Sequence, residues 1–367
     1  MISGMILNTH FSKRLLLIAI IAAMALAVGP NNVQAQSSKV GTTAAPFLTM
    51  GTGSKASALG NSYTAMASGS DALFWNPAGI SYRGEYFDEL GSLLYSNYQW
   101  FAGIDYNAFG FTLPISANQV VGLSLVHLDY GQMDVTTVTQ PDGTGERFTP
   151  TDLMIGLSFA QPLTESFYIG GTFKYIQQNI WDMTAKTVAV DIGFVLQTQY
   201  VNGLRLGASL MNFGGKMQMD GVDSQIFIDP DLDYGSNNDQ VPVRYKMDEW
   251  NLPIQFKFGV AVPAIKQDYF RWDLMAESHQ TNDQYLNADL GSEFRFMTNS
   301  THFTGRVGYK DMPLSRDFNL DHVDSHWTFG IGLETQFDNS FRIGVDVAYI
   351  PFNNLGYARM FDMRFYF

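Results

Sequence analysis

The chain has 367 residues, no cysteine, and 22 Lys and Arg against 35 Asp and Glu, for a formal net charge of −13. The acid excess argues against nucleic acid as a partner, and the missing thiols exclude disulfides, thiolate metal sites and a cysteine-borne lipid anchor. A mean hydropathy of −0.05, with no run after residue 35 near the roughly 20 apolar residues a helix needs, excludes a helical membrane protein.

The first element is an address. Lys13 and Arg14 precede an uncharged apolar run over 15–28, and Val33-Gln34-Ala35 ends in a small residue. This pattern predicts a secretory signal peptide over 1–35, cleaved before Gln36.

Residues 36–82 read as a small N-terminal domain rather than as strands. Ser54 is the expected N-cap of a short helix carrying Ala56, Ala58, Leu59, Tyr63, Ala65, Met66 and Ala67. Small residues of this kind let a helix sit close against a wall. Asn76-Pro77 followed by Gly79 predicts a tight turn ending the element, because proline lacks a donor and restricts the residue before it.

From roughly residue 90 to the end, hydrophobicity alternates with a period of two, the signature of pleated strands with one greasy face. Val188, Val190, Ile192, Phe194 and Leu196 oppose Ala189, Asp191 and Gly193; Trp327, Phe329, Ile331 and Leu333 oppose Thr328, Gly330 and Glu334. The alternation predicts an all-β chain of about 14 antiparallel strands. Centres fall near 92, 104, 124, 156, 172, 192, 207, 258, 273, 290, 306, 331, 346 and 362. Polar faces rich in Gly and isolated charges, with short turns alternating with longer loops, favour a transmembrane barrel over a soluble sandwich. The barrel is expected over 83–367, in the cell outer membrane, with 36–82 as its luminal plug.

The predicted inner faces carry Asp191, Arg205, Asp289, Glu293, Arg295, Arg306, Glu334, Arg342, Asp346, Asp362 and Arg364. These charges are expected to pair with one another and with the plug, since an enclosed low-dielectric lumen demands partners. Gly170-Gly171 is read as relieving crowding against the plug rather than as a strand kink. Asp229, Asp231, Asp233 and Gly235 superficially resemble a calcium loop but lack its terminal Glu, so 213–250 reads as a solvated external loop that could dock a partner.

Chemistry-bearing motifs are absent. His127, His279, His302, His322 and His326 have no metal-ligand spacing, and Asp321-His322 and Asp324-x-His326 sit among turn residues. No enzyme, cofactor or metal site is expected.

Ala45-Pro46-Phe47-Leu48, then Ala56, Ala58, Leu59, Gly60, Tyr63 and Ala65, then Asp71-Ala72 and Trp75-Asn76-Pro77-Ala78-Gly79 resemble the PorV/PorQ family within the wider FadL-type barrels. The likeness covers about 40 residues. It implies a plug motif of Ser54, Gly60, Tyr63, Asp71, Trp75, Asn76, Pro77 and Gly79, and a final strand whose Phe367 looks like the signal read by barrel-assembly machinery. It also implies a protein-interaction role in type IX secretion or surface attachment, with secretion-system proteins or cargo C-terminal domains as partners beside outer-membrane lipid. The alternative is FadL-like transport of a hydrophobic ligand such as a fatty acid or an aromatic.

Overall fold

The computed structural model describes residues 40–82, 91–229, 240–314, 326–338, 341–352 and 356–367. The expected signal peptide over 1–35, most of the calcium-like loop, and Asp321, His322 and Asp324 lie outside the described residues.

Fourteen strands form the wall. They are β1 Ser92–Gln99, β2 Asp105–Pro114, β3 Val120–Asp129, β4 Thr151–Pro162, β5 Phe167–Ile180, β6 Met183–Gln197 and β7 Arg205–Gly214. After a long excursion come β8 Gln255–Lys266, β9 Phe270–Thr281, β10 Asn287–Met297, β11 Thr301–Pro313, β12 His326–Asp338, β13 Phe341–Phe352 and β14 Gly356–Tyr366. Each strand pairs antiparallel with its sequence neighbours, and β14 returns to β1 with Ser92 opposite Tyr366. The sheet is therefore closed and has no free edge. Two expected centres were displaced: residue 92 is only the first residue of β1, and residue 104 immediately precedes β2. Single Gly and Asn residues blurred the alternation there.

The wall is inside-out relative to a soluble protein. Along β12, Trp327, Phe329, Ile331 and Leu333 point outward, with Ile331 69% exposed, while Thr328 and Glu334 are buried. Along β6, Val188 to Leu196 show the same division, with Asp191 fully buried. Aromatic and β-branched side chains suit a pleated surface, and here their rows face away from the protein.

The segment 40–82 lies inside the barrel and shares the apolar core with wall residues such as Leu94, Tyr106 and Met360. It has one α-helical turn, α1 Ser54–Ala58, and short 3₁₀ turns at Pro46–Thr49, Gly69–Phe74 and Pro77–Ser81. The expected helix through Ala67 is not formed. Gly60 and Asn61 adopt positive φ of 65° and 70°, a left-handed step that stops a right-handed helix.

Close approach of plug to wall depends on glycine. A Cβ at Gly170 would sit 2.5 Å from the Pro77 carbonyl, and one at Gly308 would collide with the backbone of Leu59 and Gly60. The β4–β5 and β5–β6 registers run through Gly170 and Gly171 without a shift, so the glycine pair accommodates the plug at Gly170 without kinking the strand.

Gly308→Val is expected to cost about 1–3 kcal/mol through overpacking and to expose 40–82 to limited proteolysis while the wall stays resistant. Unchanged protection of the segment would show that the approach is not constrained.

Candidate functional site

The plug is fastened by charge. Arg364 on β14, fully buried, donates to Asp71 through Nε at 2.8 Å and Nη2 at 2.7 Å, and pairs also with Asp362 at 2.7 Å and with Asp346. Asp346 is shared with Arg306, which bonds Glu293 at 2.7 Å, and Glu293 takes Arg295 at 2.8 Å. The chain of charges thus runs from the plug across β14, β13, β11 and β10. A planar guanidinium can serve several carboxylates in fixed geometry, which suits it to such a hub.

A second bridge runs through α1. Lys55 donates to Glu334 Oε1 at 2.7 Å, and Arg342 approaches the other oxygen of that carboxylate at 3.5 Å. Burial alone would lower the Lys55 pKa, but Glu334 beside it holds it above the usual lysine range. Burial likewise pushes the Tyr63 phenol up, with Asp71 adding to the effect.

Ser54 does not act as the N-cap. Gly53, with φ 92°, occupies that position, and Ser54 donates both its N–H and its hydroxyl to Asp362 Oδ2 at 2.6 Å. A wall carboxylate thus satisfies the first helical donors, a partner that local spacing could not reveal. Asn76 follows the end of the 3₁₀ turn Gly69–Phe74 and opens the next one, Pro77–Ser81. Its Oδ1 accepts from Ala78 N, and its Nδ2 donates to Thr64 O and to Phe194 O on β6, each at 3.0 Å. Thr64 in turn donates twice to Glu277 of β9. Trp75 donates Nε1 to Thr52 O at 2.7 Å and meets the Tyr63 ring edge-on. Gly60 and Gly79 lie where a Cβ would strike the Tyr309 and Ala67 backbones.

The remaining inner charges are also buried. Asp191 pairs with Lys174 at 2.7 Å and accepts from Asn212 N, and Arg205 stacks on Tyr82 at 3.8 Å while reaching Ala67 O. All eleven predicted inner charges are on the interior side, with Arg295 only half-buried. At the other end, Phe367 exchanges backbone hydrogen bonds with Gly91 and stacks on Phe111.

Between plug and wall lies a cavity of about 220 Å³. Its apolar lining includes Phe74, Trp75, Tyr98, Trp100, Ile350 and Phe352, with Trp100 stacked on Phe352. Lys257 holds its ammonium 4.2 Å from the Trp75 ring centre at one side. His279, Asp289 and Asp311 line another part. These three come from adjacent strands β9, β10 and β11, so linear spacing gave no hint of the grouping.

No family model and no curated protein matches the chain. Solved structures do. The CymD monoaromatic hydrocarbon channel aligns with a TM-score of 0.53 at 10% identity, over 86% of this chain and 96% of that one. The toluene transporter TbuX of Ralstonia pickettii aligns with a TM-score of 0.52 at 9% identity, over 86% and 97%. At such identity the likeness shows a shared fold.

Arg364→Met would leave Asp71, Asp346 and Asp362 buried without their common partner, a change expected to cost about 3–5 kcal/mol. Adding Asp71→Asn should restore part of this loss. Thermal unfolding of the two single variants and the double variant measures the coupling, and strictly additive losses would show that the pair does not fasten the plug.

Proposed function

We propose that the protein is an outer-membrane channel for a small hydrophobic molecule, about one substituted ring in size. The observation that carries this reading is the cavity held between a seated plug and a closed barrel, with Trp75, Trp100 and Phe352 on one side and polar and charged groups on the other. A cavity of about 150 Å³ takes benzene, so a volume of 220 Å³ has room for a ring with substituents, and the mixed lining suits a ring that carries a polar group. The outward Phe, Val and Leu rows supply the apolar belt that a bilayer requires of a barrel.

The fold neighbours with a TM-score above 0.5 are named as a hydrocarbon channel and a toluene transporter, which favours the small-molecule alternative over type IX secretion. The secretion reading rests on the plug motif alone. Lys257 and the polar groups along one side of the cavity would orient a ligand with a polar end, since a few placed polar groups fix pose within an apolar pocket.

Ala358 lines the cavity and is buried, so Ala358→Leu fills space without touching the ion pairs. Binding of labelled toluene and of labelled benzoate to detergent-purified protein is the measurement. Wild type should bind at least one of the two, and Ala358→Leu should weaken that binding about tenfold, the scale of about 1.4 kcal/mol. Equal binding by both proteins, or none by wild type alongside a co-purifying cargo protein, would overturn the reading.

A further inference from the structure

We propose that His279, Asp289 and Asp311 form a binding site for a divalent transition-metal cation of the zinc class on the cavity wall. One donor atom from each residue lies within 4.8 Å of the others. That spacing is within a side-chain adjustment of a shared ion with bonds of about 2.0–2.2 Å. An imidazole with two carboxylates suits zinc or its neighbours better than magnesium or calcium, which prefer oxygen alone.

The backbone builds the cluster. Pairing between β10 and β11 shifts between Ala288 and Leu290, so Asp289 faces two residues, Lys310 and Asp311. Asp311 has φ 57°, and its N–H is donated to Asp289 Oδ1 at 2.7 Å. Such a bulge re-aims a side chain, and here it turns the Asp311 carboxylate towards His279, 3.5 Å from Nε2. The opposite nitrogen, Nδ1, lies 2.9 Å from Asp289 Oδ2.

Asp289 supplies the independent indication of a ligand. It is only 1% exposed, and its Oδ2 faces His279 Nδ1 at 2.9 Å without the alignment of a good hydrogen bond. A poorly aligned contact between a buried carboxylate oxygen and an imidazole nitrogen satisfies that oxygen only in part, and a cation taking Asp289, His279 and Asp311 as ligands would replace it. The nearest competing charge is Lys310, whose ammonium is 3.4 Å from Asp311 Oδ2 and also lies over the Phe352 ring. Binding would displace Lys310 from Asp311 and leave it on the aromatic face. Because the three residues line the cavity, an open coordination position would face it and take water or a polar ligand group. The site stands whether or not the cavity carries a hydrophobic cargo.

The test uses the full-length protein purified in detergent, stripped with chelator and titrated with Zn²⁺, with Co²⁺ absorption reporting the ligand set. Wild type should bind about one equivalent, and Asp289→Asn, His279→Gln and Asp311→Asn should each weaken binding about tenfold or more. Asp311 is the most accessible of the three, with a side chain 36% exposed. Asp311→Asn therefore decides the matter if a change at the buried Asp289 prevents folding. Absence of Zn²⁺ and Co²⁺ binding by wild type, unchanged affinity in folded Asp311→Asn, or binding of Ca²⁺ or Mg²⁺ in their place would overturn the proposal.

Discussion

The interior depends on Arg364. Its guanidinium joins a plug carboxylate, Asp71, to two wall carboxylates, and through Asp346 to Arg306 and Glu293. Ions taken from water need mutual partners at good geometry, and removal of one member strands the rest. The plug is therefore positioned by where the wall places its charges. Those positions exist only when β14 closes on β1 in the observed register, because a slip of one residue would turn Asp362 and Arg364 outward.

Closure also settles the backbone. A closed antiparallel wall pairs every strand on both sides, so no edge is left to aggregate or to face an apolar medium unpaired. The exterior can then be uniformly greasy. The interior carries the polar residues that a soluble protein would show to water, and the plug's hydroxyls, amides and backbone donors satisfy many of them. Thr64 on Glu277, Ser54 on Asp362 and Asn76 on Phe194 O are of this kind. The plug does not fill the lumen evenly. Where small residues meet wall glycines the contact is close, and beside Trp75 and Trp100 a cavity remains.

The alternation of Val188 to Leu196 and of Trp327 to Leu333 is visible without coordinates because a pleated strand has a period of two. It is why the strand number and the inward set of charges were legible. The helical reading of 54–67 overreached because small residues permit a helix without requiring one. The expectation of an Ser54 cap failed because its partner, Asp362, is 308 residues away.

By itself, then, the sequence determined the faces: which residues turn to the exterior, which charges turn inward, and where proline, asparagine and glycine break the chain before the wall begins. These follow from local geometry. Only the tertiary structure decided the partners, the Asp71–Arg364 clasp, the cavity beside Trp75, and the meeting of His279, Asp289 and Asp311 across three strands. Each arises from strand register and a bulge, and register is a property of paired strands that no single segment contains.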